Sequence, residues 1–284
     1  MDSSLKLSRV FLALALAALL APAGLAAPAT ANTLDDPSKV NWNKVERDTC
    51  LVVKDGWGFK ACNKGDRKGY WNVAFIGDSH MRQYFSPLDV LAFRYHWKVT
   101  YISKSACTVA NHDLYPIKLH PDYSCRSWNR ALEKHFAGNP KFDLIINSNS
   151  AFVSHANKQM AQAFKATVLS QTQRGSQWLV ISDNPKPALG FENCITKWGK
   201  LAERACRLPY SKAMVPADIL PRTVHQIPGV SVADFHPLFC PHECPAIING
   251  VTVYRDYSHV SGDFARQLLP FIDAAIPARF KSKP

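Results

Sequence analysis

The sequence predicts an α/β fold: a three-layer α/β/α sandwich around a mostly parallel, five-stranded sheet. Three observations carry this prediction. Short apolar runs alternate with longer amphipathic segments from residue 72 to residue 275, the pattern of a chain built from strand–helix crossovers. Several of the short runs are apolar almost throughout, as strands covered on both faces are. No stretch rich in Pro, Gly or Ser divides this region, and it contains no repeat or low-complexity segment. Residues 71–284 therefore read as one domain.

The elements follow in chain order. Lys6 and Arg9 precede an apolar run from Val10 to Ala21, then small residues ending in Ala29-Thr30-Ala31. A charged start, a short apolar stretch and a small-residue cleavage site predict a secretory signal peptide over residues 1–31. The run falls short of the ~20 residues of a membrane span, and Pro22 and Gly24 interrupt it. No later segment is apolar enough to cross a membrane, so the mature chain is expected to be soluble, either secreted or periplasmic. Residues 32–70 are polar and turn-rich and read as an N-terminal arm. Strands are expected at 72–76, 97–102, 142–147, 177–182 and 230–234. Helices are expected at 80–93, 127–137, 156–173, 211–225 and 262–275. In the third helix Met160, Ala163, Phe164, Thr167 and Val168 recur at helical spacing, which marks a core-facing stripe.

The 284 residues include eight cysteines, at 50, 62, 107, 125, 194, 206, 240 and 244. An even count in an exported chain favours disulfides. The cysteines fall into sequential couples, so Cys50–Cys62, Cys107–Cys125, Cys194–Cys206 and Cys240–Cys244 are the preferred pairs, although sequence leaves other connectivities open. One stretch, "HPLFCPHEC", gathers His236, Cys240, His242 and Cys244, a conceivable zinc set. It lacks the second paired spacing of a usual zinc site, so a small disulfide-closed loop is expected there, with no metal and no cofactor. The formal net charge is +12, and Lys6, Arg9 and Asp2 account for only one unit of it. A strongly basic exported chain is attracted to anionic wall polymers, acidic polysaccharide or membrane surfaces, while a plain solvated basic surface explains the same number. The basic residues are scattered, without a stripe interleaved with aromatics, so nucleic acid is not expected as a partner.

Two short stretches carry chemistry. "FIGDSH" sets Ser79 just past the first strand, at the carboxyl edge where parallel sheets bind ligands. Alone, Asp78 and Ser79 would read as helix caps. Near the C-terminus "YRDYSHVS" places Asp256 three residues before His259. An acid so placed orients the imidazole, which is then free to take a proton from a serine hydroxyl. A serine early and an Asp–His couple late, each beside a predicted strand–helix junction, make a complete nucleophile–base–acid set.

The "GDSH" after the first strand and the "DYSH" before the last helix resemble the SGNH hydrolase superfamily, the GDSL-type esterases. More closely they resemble the SGNH domains fused to membrane O-acyltransferases that modify bacterial surface polysaccharides. Those domains share the Gly-Asp-Ser-His variant, the Asp-x-x-His-(Leu/Val)-Ser ending and cysteine couples placed as in "SACTV…YSC" and "LFCPHEC". The resemblance runs from about Asn72 to Leu269, without the multi-span acyltransferase part, and implies the flavodoxin-like SGNH fold. It also implies Ser79 as nucleophile, His259 as general base and Asp256 as its orienting acid. The family's oxyanion hole uses the nucleophile's own N–H, a glycine after the second strand and an asparagine after the third. Here the second position reads "SKSAC", where Ser105 or Ala106 supplies a backbone N–H in place of glycine. The third reads "IINSNSAF", where Asn149 is preferred over Asn147, with ordinary turn chemistry as the alternative for Asn149. His80 is expected either to contact substrate or to face solvent from the first turn, and Arg82 to pin the loop or meet an anionic polymer.

The resemblance implies an exported serine esterase or O-acyltransferase acting on acyl groups, acetyl above all, of cell-surface or extracellular carbohydrate. Acylated polysaccharide or cell-wall glycan is the implied partner, and a membrane acyl-donor protein is a further one. Trp57, Trp71, Trp128 and Trp198 are candidates for stacking on sugar rings, set against core positions. Two other readings compete. One is a non-catalytic polysaccharide-binding module that keeps the fold; the other is a metal-dependent deacetylase centred on the His/Cys stretch.

Overall fold

The computed structural model describes residues 58–116, 123–154, 157–214 and 216–284. The expected signal peptide, most of the arm, Cys50 and Trp57 lie outside the described residues. The described residues all fall within one compact unit, Leu34–Pro284, and no helix among them is long and apolar enough to cross a membrane.

Eight strands frame the description: β1 (Ala61–Gly65), β2 (Trp71–Gly77), β3 (Trp97–Ser103), β4 (Leu144–Ser148), β5 (Gln177–Ile181), β6 (Arg207–Pro209), β7 (Val230–Ala233) and β8 (Glu243–Pro245). Six form the central sheet in the order β1-β3-β2-β4-β5-β7. All neighbours are parallel except β1, which runs antiparallel to β3. β6 and β8 form a separate antiparallel pair.

The apolar runs of the central strands are explained by the two faces they serve. Val73, Phe75, Leu144, Ile146, Leu179 and Ile181 point into one core, whose far wall includes Leu88, Leu91, Phe264 and Ile272. Ala74, Ile76, Ile145, Trp178 and Val180 point into the other, closed by Trp128, Leu132, Phe164 and Val168. Successive residues of a strand face opposite ways, so a strand with a core on each side has no polar position to spare. The chain leaves β2 for β3 on one side and returns to β4 on the other. β2 is thus the point where the winding reverses, and in open parallel sheets it is the carboxyl end at such a point that offers a crevice for ligands.

The structure differs from expectation in its details. The sheet has six strands rather than five, because residues 61–65, assigned above to the arm, form β1. That segment reads "ACNKG"; as an edge strand it buries only Cys62, so it carries no hydrophobic pattern to betray it. The expected helix 80–93 is two helices, α1 (Ser79–Arg82) and α2 (Phe85–Arg94). Pro87 has no N–H to bond four residues back, and its ring would clash with the Gln83 carbonyl. The expected helix 211–225 likewise breaks into Tyr210–Ala213 and Leu220–Val224, with Pro221 in the first turn of the second. Two long helices fall close to expectation, α3 (Tyr123–Gly138) and, after the short α4 (Ala151–Ser154), α5 (Lys158–Gln173). The helical segment over residues 191–205 was not anticipated. Its ends are tied by Cys194–Cys206, beside the further disulfides Cys107–Cys125 and Cys240–Cys244. The expected Cys50–Cys62 pair rests on Cys50, outside the described residues.

Candidate active site

β2 ends at Gly77, and only glycine fits there. A Cβ at Gly77 would lie 2.0 Å from the Ser148 carbonyl oxygen and 2.7 Å from Met81 Cβ. This close approach lets the chain turn sharply into α1. Asp78 caps that helix: one carboxylate oxygen accepts from the His80 N–H at 2.8 Å, the other from the Ser150 N–H at 2.8 Å. The buried Asp78 thus joins the turn after β2 to the turn after β4 and leaves Ser79 at the tip.

The opposite wall is the turn from Tyr254 to Val260, closed by a bridge between those two residues. Asp256 Oδ1 accepts from the N–H groups of Ser258 and His259, both at 2.8 Å, so the carboxylate organises its own turn. His259 Nδ1 lies 2.9 Å from each Asp256 carboxylate oxygen, and its Nε2 lies 2.8 Å from Ser79 Oγ. Burial alone would raise the proton affinity of Asp256, but hydrogen bonds from the His259 ring and from the His259 and Ser258 N–H groups outweigh it. They hold the carboxyl well below the usual carboxylate range. Residues separated by 180 positions therefore meet in one line of hydrogen bonds: hydroxyl, imidazole, ionised carboxylate. Such a line can carry a proton from the hydroxyl to Nε2 while the carboxylate stabilises the resulting imidazolium.

The remaining predicted residues are placed as follows. Gly77 pairs with Ser103 and with Ser148, so Ser79, Ser105 and Asn149 leave neighbouring strands at the same sheet edge. Ser105 is exposed, and its hydroxyl accepts from the Arg82 guanidinium. Next to it, Ala106 has φ +55°, a left-handed conformation that glycine adopts more easily. The missing glycine is thus replaced by an alanine in a glycine-like conformation. Asn149 is buried, its Oδ1 accepting from the Val109 N–H at 3.1 Å and its Nδ2 donating to Asn147 Oδ1 at 3.0 Å. Asn147 in turn donates to the Ile76 carbonyl at 2.7 Å. Cys240 and Cys244 are joined to each other, and His236 Nε2 reaches the Asp183 carbonyl oxygen at 2.7 Å. With its sulfurs bonded together, the "HPLFCPHEC" stretch presents no thiolates for zinc. Of the tryptophans, Trp128 is core, Trp71 is half-buried and Trp198 is exposed.

His80 corrects the sequence reading most. It faces neither solvent nor the open crevice, being only 2% exposed. Its Nδ1 is 2.5 Å from Asp183 Oδ1, and its Nε2 is 2.9 Å from Ser258 Oγ. Burial alone would lower its proton affinity, but the Asp183 carboxylate, with Asp78 and Asp256 adding, pushes it up to about 9. Gln83 and Asn184 complete this layer. Gln83 Oε1 accepts from the Val260 N–H and its Nε2 donates to Asn184 Oδ1; Asn184 donates to the Ser258 carbonyl. Sequence reasoning missed Asp183, although "VISDN" puts it just past the fourth expected strand, the same edge position that singled out Ser79.

Comparison with known proteins gives this geometry a family. No curated protein matches the chain. Among solved structures, the chain is similar to the periplasmic domain of a lipopolysaccharide acetyltransferase from Salmonella ser. Paratyphi A. The TM-score is 0.60 at 13% identity, covering 85% of this chain and 99% of that one. It also matches a carbohydrate acetylesterase family member from Sinorhizobium meliloti, at a TM-score of 0.42 and 14% identity, covering 72% and 99%. At such identities the Salmonella domain speaks for the fold, which it shares. The family model described as the SGNH domain fused to AT3 domains matches residues 47–274, well over half of the sequence, and the chain belongs to that family.

Proposed function

We propose that this chain is an exported serine enzyme that transfers acyl groups, acetyl foremost, from or to the hydroxyls of cell-surface or extracellular carbohydrate. The observation that carries the reading is the hydrogen-bonded line from Ser79 through His259 to Asp256 at the carboxyl end of β2. In this reading Ser79 Oγ attacks the acyl carbonyl as its proton passes to His259 Nε2. The imidazolium then gives that proton to the departing sugar oxygen, leaving an ester on Ser79. Water as the second acceptor completes hydrolysis; another sugar hydroxyl completes transfer. The developing oxyanion would be met by the Ser79 N–H, a backbone N–H at Ser105 or Ala106, and the Asn149 amide. The carbohydrate substrate and the acetyl group rest on the family and on what the Salmonella domain is named for. Export is supported by the disulfides, which persist in oxidising compartments.

A second reading, a polysaccharide-binding module without turnover, draws support from Asn149, whose amide group is already engaged by Val109 and Asn147. One experiment separates the two. The mature protein is incubated with an activated acetyl ester, with and without sugar acceptors, and acetate and acylated sugar are followed by mass. Turnover that survives EDTA and stops with a serine-reactive phosphonate supports the enzyme. Binding of acetylated glycan with no acetyl released from any donor would replace it with the module, and loss of activity in EDTA would point to a metal enzyme.

A further inference from the structure

Behind the Ser79–His259 contact lies a second histidine–carboxylate pair that the proposed acyl transfer does not use. His80 and Asp183 are each 2% exposed, and a buried ion pair is costly unless its remaining hydrogen-bonding capacity is met. Here it is met. Asp183 Oδ2 accepts from the Ala151 N–H at 2.7 Å, and Oδ1 accepts from the Asn184 N–H at 2.9 Å as well as facing His80. The other ring nitrogen of His80 reaches Ser258 Oγ, and the Ser258 N–H is one of the two backbone donors to Asp256 Oδ1. The rings of His80 and His259 lie 4.8 Å apart between centroids.

We propose that His80, anchored by Asp183, is a positioning residue for the Asp256–His259 turn: it grips Ser258 and so sets the imidazole of His259 against Ser79 Oγ. The chain of contacts is continuous. α1 supplies both Ser79 and His80, so the nucleophile and the grip on the base move as one body. Asp183 ties that body to the turn after β4 through Ala151. Ser258 is the link to the base, and it is held a second time through its carbonyl by Asn184. A change of ~1 Å in the placement of a reacting group can cost on the order of 100-fold in rate, which is what a rigid grip prevents. In this role His80 touches no reacting atom.

This inference rests on the proposed acyl chemistry for its kinetic half only, so the test has two arms. In the first, kcat and KM for a nitrophenyl acetate ester are measured for the parent, His80→Gln and Ser258→Ala. In the second, amide hydrogen exchange is followed in the same proteins, without substrate. We expect kcat to fall about 100-fold in His80→Gln and about 10-fold in Ser258→Ala, with KM within about twofold. Exchange at the Ser258 and His259 amides should quicken about 10-fold or more in both single variants, while β2 and β4 keep their protection. Ser258→Ala deletes one hydroxyl and carries both arms if His80→Gln does not fold. Rates within about twofold of the parent in both folded variants, a loss expressed in KM rather than kcat, or unchanged exchange in the turn would each overturn the role. If the parent itself shows no turnover, the enzyme reading fails, and exchange in the turn alone decides whether His80 holds it.

Discussion

At the scale of single residues, Ser79, His259 and Asp256 stand out in the sequence because their spacing is local: a Gly-Asp-Ser-His turn and an Asp–His couple three apart. What the sequence concealed is the layer beneath them, whose partners lie a hundred or more positions apart, as with His80 and Asp183 or His80 and Ser258. In the enzyme reading Ser79→Ala and His259→Ala are each expected to lower ester turnover ~1000-fold or more in folded protein, with Asp256→Asn costing less. Near-parent rates in either of the first two would remove the assignment. Asn147, inside β4, and Asn149, just past its end, separate a catalytic from a structural role. Asn149→Ala is expected to lower kcat ~100-fold with little change in KM, because the bond to the oxyanion strengthens only in the transition state. Asn147→Ala removes a buried bond to the Ile76 carbonyl and the acceptor of the Asn149 amide, so it should lower stability by about 1–3 kcal/mol and cost kcat in the folded fraction far less than Asn149→Ala. Thermal melts beside kinetics distinguish the two, and equally small kinetic effects would place the oxyanion donors on the backbone alone.

At the scale of elements, legibility followed burial. Strands with a core on both faces announce themselves by continuous apolar runs, and β2 to β5 fall within two or three residues of expectation at either end. β1 escaped because an edge strand buries one residue and displays polar ones. Helices were placed well but drawn too long wherever a proline sat inside an amphipathic pattern, since hydrophobic period alone carries no information on a missing N–H. The segment 191–205 has short helices held at their ends by Cys194–Cys206, and a covalent tie leaves little trace in periodicity. The small Cys240–Cys244 loop lies one short strand pair ahead of the Asp256–His259 turn. It leads into β8, which pairs with β6. Next, the Val253 N–H bonds the Ala246 carbonyl, and the Ser261 N–H bonds the Val253 carbonyl, at the base of the Asp256–His259 turn. Cys240→Ser/Cys244→Ser is therefore expected to lower kcat ~10-fold or more, beyond what its drop in melting temperature explains. Cys107→Ser/Cys125→Ser, removing a disulfide that ties α3 to the loop after β3, should lose stability, by roughly 2–4 kcal/mol, with a smaller effect on kcat. A reversed ranking in kcat would mean the loop does not steady the turn.

At the scale of the whole molecule, the fold class was legible because one physical demand, a parallel sheet covered on both faces, shapes every central strand. The crevice at the end of β2 follows from winding order, which no single segment encodes. The net charge of +12 belongs to this scale as well, and it leads to a prediction that local geometry cannot make. A basic surface raises the local concentration of an anionic polymer and speeds its encounter with the crevice, an effect that weakens as salt shortens the screening length to ~10 Å at about 0.1 M. In the enzyme reading the bond-making steps at Ser79 are shielded from this, because their charges lie within a few ångströms of one another and half-buried. Three acetylated substrates isolate the effect: a nitrophenyl ester, a neutral glycan and an anionic glycan of matched acetyl content. Raising salt from about 20 mM to about 300 mM should leave kcat/KM for the first two nearly unchanged and lower it about 10-fold for the third, with the change in KM rather than kcat. If the anionic glycan shows no salt dependence, the basic charge is ordinary solvated surface and the polymer is selected by contacts in the crevice. If all three substrates lose rate together, salt is acting on the site itself, and the charge has nothing to do with the choice of substrate.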